Sequence, residues 1–326
     1  MLLDNPAVTV IVPAYNAEQY LSGCLDSISG QSFTDWELII AEDGSSDRTG
    51  EIARNAAAND TRIRVISMDK KGVSAARNAC IKAARGRYLA FVDADDLISP
   101  DYLTELYSHA EQTGADITQC SFLFKKEDGC EEPDPNGIDK VFSGRDEIIK
   151  ACFRGSQGDI RVSVWAKLFR RDTFKSVCFD TDLRIYEDAY YVYECCMKAQ
   201  TVCCFSAPLY RYMQHEGSTT HARLLEIYPD FFTMFGRQRE AFKDNGTIRK
   251  QIAVRETETA LWLMRIMQES ARRQEMWDLR KKTLAVTGDV LSSSAPFLLK
   301  SKLTAVAVMP HIYFAMLKGR AGSEDT

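Results

Sequence analysis

Short apolar runs alternate with amphipathic stretches through the first hundred residues. Residues 8–12, 37–41, 63–67 and 88–92 read as strands, and residues 17–29, 47–58 and 73–84 between them read as helices, the last ending at Gly86. Runs this short, without polar alternation, are what strands buried on both faces look like. Their regular separation by helices predicts a parallel, doubly wound α/β sheet. Ser99-Pro100-Asp101 predicts a further helix, with Ser99 as its cap and Pro100 in its first turn.

The grammar changes after Gly114. Residues 116–124 are strand-like, 125–139 form a charged loop bearing glycine and proline, and Ser143-Gly144-Arg145-Asp146 opens a helix to about residue 153. A mixed region follows to residue 214, and beyond His221 the pattern is helical without strand signal. The division expected is an α/β domain over residues 1–220 and a helical region over 221–326.

Composition narrows the class. The chain has 326 residues, 45% hydrophobic and 27% charged, with a net charge of −5. That suits one large α/β domain plus an appendage, excludes a disordered chain, and gives no electrostatic footprint for nucleic acid. Ten cysteines occur without any CxxC pair, which predicts buried thiols in a reducing compartment rather than a zinc site. Residues 1–6 lack the charged and apolar regions of a secretory leader, so a cytoplasmic location is expected. No window reaches the roughly 18 apolar residues of a membrane span. The nearest, residues 303–317, is flanked by Lys300, Lys302, Lys318 and Arg320. It reads either as a helix packed on its own domain, or as a peripheral segment resting on the inner, anionic face of a membrane.

The candidate chemistry sits at the ends of the predicted strands. Asp93-Ala94-Asp95-Asp96 closes the fourth strand with three carboxylates, which repel one another unless a cation or hydroxyl donors hold them. Oxygen ligands of this kind suit Mg or Mn. Pro13-Ala14-Tyr15-Asn16 follows the first strand: Pro13 is expected to stop the ladder and leave Tyr15 as a platform on which a flat base stacks. Glu42-Asp43-Gly44-Ser45-Ser46-Asp47 follows the second, with Ser46 or Asp47 capping the next helix. Glu42 and Asp43 are left without structural partners and able to accept from a base N–H or ribose hydroxyls. Lys70-Lys71-Gly72 opens the third helix, where Lys71 and Arg77 are placed to face phosphate. Neither a dinucleotide-binding glycine fingerprint nor a P-loop occurs.

Base platform, acidic turn, basic helix start and acidic cluster come from four successive strand ends and converge on one crevice. In these motifs, Val-Pro-Ala-Tyr-Asn, Glu-Asp-Gly-Ser-Ser-Asp, Gly-Val-Ser-Ala-Ala-Arg-Asn and Asp-Ala-Asp-Asp, the first 110 residues resemble glycosyltransferase family 2 with the GT-A fold. Glu42 departs from the family's usual aspartate and keeps the carboxylate. The resemblance implies that Tyr15 stacks on the donor base and Asp43 binds uracil. It also implies that Asp93-Ala94-Asp95 is the family's D-x-D, with Asp95 on the metal and Asp93 near ribose or metal.

It further implies that Asp188 is the general base for an inverting transfer, with Glu187 binding acceptor or supporting the loop. Trp165 is a sugar platform for the acceptor or a core aromatic, His215 completes the metal shell, and Arg211 contacts phosphate. The activity expected is transfer from a nucleotide diphosphate sugar, with UDP favoured, to a glycan or lipid-linked acceptor in surface-polysaccharide assembly, with dimerisation open to the helical tail. A nucleotidyltransferase would begin with a glycine-rich basic loop that Pro13 to Asn16 does not supply. A non-catalytic nucleotide-sugar or glycan-binding module would have no use for Asp188.

Overall fold

The computed structural model describes residues 5–126, 129–153, 159–184, 186–214, 219–269 and 272–310. The chain divides into two compact units, Met1–Cys152 with Asp159–Ser218, and Phe153–Gly158 with Thr219–Thr326.

The first unit opens with β1 (Val8–Ala14), α1 (Leu21–Ser29), β2 (Trp36–Glu42), α2 (Thr49–Asn59), β3 (Ile63–Ser67), α3 (Val73–Ala83) and β4 (Tyr88–Phe91). There follow β5 (Leu97–Ile98), α4 (Tyr102–Thr113), β6 (Ile117–Lys126), β7 (Glu131–Pro133), β8 (Lys140–Ser143) and α5 (Arg145–Cys152). The unit closes with β9 (Lys167–Arg170), α6 (Arg171–Phe174), α7 (Glu187–Lys198) and β10 (Thr201–Gln214). The sheet runs β3-β2-β1-β4-β9-β6-β10-β5. β3, β2, β1 and β4 are mutually parallel, as the apolar runs predict. Beyond β4 the pairing becomes mixed: β9 is antiparallel to β4 and β6, β10 is parallel to β6, and β5, β7 and β8 pair antiparallel.

Every residue of β2 and β4 is buried, which is why these strands show no alternation. Three local expectations are corrected. β1 continues through Pro13, which opposes Ala41. Ile11 O accepts from Val92 N while Ala14 O accepts from Asp43 N, so alternation turns Pro13 toward the β4 side, past the end of β4, where no ladder hydrogen bond is required of it. Ser99 does not cap α4, which begins two residues beyond Pro100; its carbonyl accepts from Tyr102 N, Asp101 stands at the cap position, and the Asp101 carboxylate accepts from Ser32 Oγ. The charged stretch 125–139 contains β7.

The second unit is helical among its described residues: α8 (Thr219–Ala241), α9 (Gly246–Glu269), α10 (Arg273–Leu284), α11 (Thr287–Leu291) and α12 (Phe297–Val308). Its core is built from Phe231, Ile252, Leu263, Met264, Leu279, Val290 and Leu303. Among the described residues no helix is long and apolar enough to cross a membrane.

Candidate active site

The carboxyl ends of β1 to β4 share one rim because the strands are parallel and in register: Ala14 opposes Glu42, Glu42 opposes Ser67, and Ile11 opposes Phe91. The turns leaving that rim interlock. Asn16 donates its backbone N–H to Ser45 Oγ at 3.1 Å, and its Oδ1 accepts the Ser46 N–H at 2.9 Å. Glu42 closes its own turn by accepting the Ser45 N–H at 2.6 Å. Asp43 accepts the N–H groups of Lys71 and Gly72, each at 2.7 Å, and so fastens the turn after β2 to the start of α3. The two acids that lacked partners in the sequence therefore have backbone donors. A carboxylate offers about four lone-pair sites, so Asp43 keeps acceptor capacity toward a ligand. Tyr15 is 43% exposed, with Lys70 Nζ 4.8 Å from its ring centroid. Lys71, the next residue in sequence after Lys70, is exposed. Gly44 has φ 71°, and a Cβ there would lie 2.9 Å from Lys70 N. Only glycine permits that approach.

Arg77 joins this rim to α7. Its Nη1 donates to Glu187 Oε1 at 2.7 Å and its Nη2 to Asp93 Oδ1 at 2.9 Å, with the guanidinium over the Phe179 ring. Burial alone would depress its pKa, but Asp93, Glu187 and Asp188 hold it above its ordinary value. Asn78 exchanges two 2.8 Å hydrogen bonds with the Phe179 backbone, and the Phe179 ring stacks on Tyr191 of α7 at 4.1 Å. α3 thus fixes the entry to α7. Expected to face phosphate, Arg77 instead has both terminal nitrogens on carboxylates.

Glu187 and Asp188 form the first turn of α7, preceded by Tyr186 at φ 58°. Asp188 is pushed up to about 7 by burial and by the charge of Glu187, against the opposing pull of Arg77 and the Ala189 N–H. Near the amino end of β2, Glu37 is buried yet lies below the usual carboxylate range, because hydrogen bonds from Arg85 and Thr9 outweigh its desolvation. Raised carboxyls beside a cleft are a mark of functional sites, whereas a compensated acid such as Glu37 is structural. Among the described residues, the non-glycine positions with left-handed φ are Asn16, Lys70, Ala166 and Tyr186. Each flanks an element that builds this site, where backbone strain concentrates.

Of the acidic cluster, Asp96 is buried. It accepts the Tyr210 hydroxyl at 2.5 Å and the Met213 N–H at 2.8 Å, while Tyr210 Oη accepts the Asp93 N–H at 3.2 Å. Burial and the charges of Asp93 and Asp95 raise Asp96 well above the carboxylate range. Ala94 is buried and Asp95 half-buried between these anchored neighbours. The same three aspartates, after burial, raise the Cys24 thiol, so their field is negative and concentrated. Trp165 is half-buried and stacks on Tyr210 and Tyr212 at 4.8 and 5.4 Å, which makes it at least partly a core aromatic. Arg211 Nε lies 3.5 Å from Glu131 Oε1. His215 lies outside the described residues.

Sequence reasoning singled out neither Tyr210, which holds Asp96, nor the buried Lys167 as an individual residue. Tyr210 was one aromatic in an irregular stretch. Lys167 is fully buried, donates to Ser163 O at 2.7 Å, and is lowered to about 8 by burial.

No three His, Cys, Asp or Glu groups among the described residues form a ready-made metal cage. The donor set nonetheless fits a hard divalent ion that arrives with phosphate oxygens: Asp95 is at the rim, the local field is negative, and Mg habitually takes one or two carboxylates and completes its shell from substrate.

The sequence profile of Glycosyl transferase family 2 matches residues 9–177. The uncharacterized glycosyltransferase EpsJ of Bacillus subtilis (strain 168) is 36% identical over 217 residues, which cover 66% of this chain and 63% of that protein, less than two thirds of its length. The putative glycosyltransferase EpsH of the same strain is 30% identical over 254 residues, 76% of this chain and 72% of the relative. Among solved structures, S. aureus TarS 1-349 in complex with UDP-GlcNAc aligns with a TM-score of 0.70 at 19% identity, over 97% of this chain and 92% of that one. That likeness is one of fold.

Proposed function

This chain belongs to glycosyltransferase family 2 and has its GT-A fold, and from that premise we propose that it is an inverting glycosyltransferase using a UDP-sugar. The acceptor is a glycan or lipid-linked hydroxyl of surface-polysaccharide assembly. Tyr15 stacks on the donor base, Asp43 accepts from it, and Lys71 faces the diphosphate. Asp93 orients ribose, and Ala94 lets the backbone approach. Asp95 holds the divalent ion, Mn or Mg, which when bound offsets the charge that develops on the leaving diphosphate.

Asp188 takes the proton from the acceptor hydroxyl as that oxygen bonds to the anomeric carbon and the carbon–phosphate oxygen bond breaks. Glu187, held by Arg77, supports the first turn of α7 that carries Asp188, and Trp165 borders the acceptor side. The observation that carries this reading is the buried guanidinium of Arg77, which couples the acidic end of β4 to a carboxyl pair whose second member sits at about 7. A base is most effective with a pKa near the working pH.

The test is a screen of nucleotide sugars for nucleoside diphosphate release with Mn, Mg or chelator. Metal-dependent release, lowered about a thousandfold by Asp188→Ala and by Asp95→Ala, is expected. Full turnover in either variant would remove that residue's role, and release from a GDP-sugar alone would reassign the nucleotide.

A further inference from the structure

Helix α12 is apolar around most of its circumference, which a helix on a solvated surface normally is not. Leu299, Leu303 and Val306 face its own unit and are buried. Arg280 of α10 donates to Val306 O at 2.9 Å and Ala307 O at 2.7 Å, so the last turn of α12 is clamped in that orientation. At 100° per residue, Phe297, Leu298, Ala305 and Val308 then fall on the opposite arc, with the small polar residues Ser301 and Thr304 between them. Phe297 is 85% exposed, Leu298 63%, Val308 71% and Met309, just past the helix, 51%. Clusters of large apolar side chains left in water mark an interaction surface.

The charges around this face indicate its partner. Helix α12 carries Lys300 and Lys302 and no aspartate or glutamate, in a chain whose net charge is −5. On the helical wheel Lys300 and Lys302 bracket the outward arc from either side; Lys302 is exposed, and the half-buried Lys300 donates to Ser293 O at 2.7 Å. Lysines at the margins of an apolar stripe bury their stems and keep their ammonium groups at the level of lipid phosphates. Twelve residues rise only about 18 Å, against a hydrocarbon core of roughly 30 Å. Such a helix lies in the interface and does not cross it.

We propose that the outward face of α12, Phe297, Leu298, Val308 and Met309 with Lys300 and Lys302 at its margins, docks on an anionic lipid surface. This inference is independent of the donor site. It places the chain where an acceptor carried on a lipid would be presented, and it holds whichever sugar is transferred.

The test is flotation of the full-length chain, without nucleotide, with vesicles of phosphatidylcholine alone or of phosphatidylcholine with phosphatidylglycerol. Binding to the anionic vesicles that weakens with salt is expected. Replacing both Phe297→Glu and Leu298→Glu should reduce partitioning roughly tenfold or more. The melting midpoint should hold, because both side chains are exposed. A wild-type chain that stays unbound, or binds both vesicle types equally, overturns the proposal. A concentration-dependent dimer in light scattering that the same double variant abolishes overturns it too, by assigning the face to a second copy. A large fall in melting midpoint in the double variant, with no wild-type vesicle binding, would assign the face to the chain's own residues beyond 310. UDP affinity, measured separately, reports on the donor site and is expected to be unchanged in the variant.

Discussion

Replacing Arg77 with methionine removes the charge while keeping most of the side chain's bulk. The guanidinium side chain is 5% exposed and bridges Glu187 at 2.7 Å and Asp93 at 2.9 Å. Taking one partner out of a buried ion pair destabilises by about 3–5 kcal/mol, because the remaining charges face one another in a poorly solvated site. Here the side chains of Glu187 and Asp93 retain 12% and 28% exposure, so water relieves part of the penalty. The lower figure, about 3 kcal/mol, therefore applies. For a unit of this size that lowers Tm by roughly 6–12 °C. The lost positive charge also removes what restrains Asp188, so the acid limb of the kcat/KM profile moves to higher pH. Arg77→Lys keeps the charge without the fork and should fall between wild type and methionine on both readouts. Calorimetry and a pH–rate profile measure the two effects. A methionine variant with an unchanged melting point and an unmoved limb would refute the bridge as the organiser of the site.

The remaining predictions test other parts of the rim. Asp188 binds a proton in the folded chain up to about pH 7, whereas the unfolded chain releases it near the ordinary carboxylate value, so stability falls as pH rises between these two values and levels off above 7. Asp188→Asn should flatten that slope in urea titrations at several pH values; an unchanged slope would show that Asp188 titrates normally. Tyr210→Phe leaves the buried Asp96 carboxyl with Met213 N–H and without its hydroxyl donor, at about 1–3 kcal/mol, read from the urea midpoint. A neutral outcome would mean that Asp96 has another donor. Gly44→Ala forces a left-handed φ and a clash with Lys70 N, which should destabilise by about 1–3 kcal/mol and weaken UDP binding by calorimetry.

The parallel half of the sheet was readable because burial on both faces erases polar alternation, so β1 to β4 stand out as apolar runs, each followed by a motif. β10 was not readable. It carries Ser206, Pro208 and Arg211, and its register on β6 shifts between Cys204 and Pro208 and again between Pro208 and Tyr210. A bulge admits proline and breaks period-two patterning, so the fourteen-residue strand was not separable from the mixed region around it. In the candidate site, Tyr15, Asp43 and Asp93 were singled out from their place at strand ends. Their partners were not, since Asp43 is held by backbone N–H groups, which carry no residue identity. Arg77 meets Glu187 across 110 positions of sequence, and nothing local distinguishes a basic residue facing phosphate from one facing carboxylates. The Ser99 cap failed for a smaller reason: the serine-proline pair predicts a helix start, but the chain makes one more turn before α4 begins.

The most direct measurement is kcat/KM for UDP release against pH, for wild type and Asp188→Asn, with UDP affinity determined in parallel. The wild-type rate is expected to climb through the neutral range to a plateau above about 7, and the variant to bind UDP as tightly but turn over about a thousandfold more slowly at every pH. A variant with wild-type turnover, or a wild-type rate that does not respond to pH across that range, would contradict the assignment of Asp188 as general base.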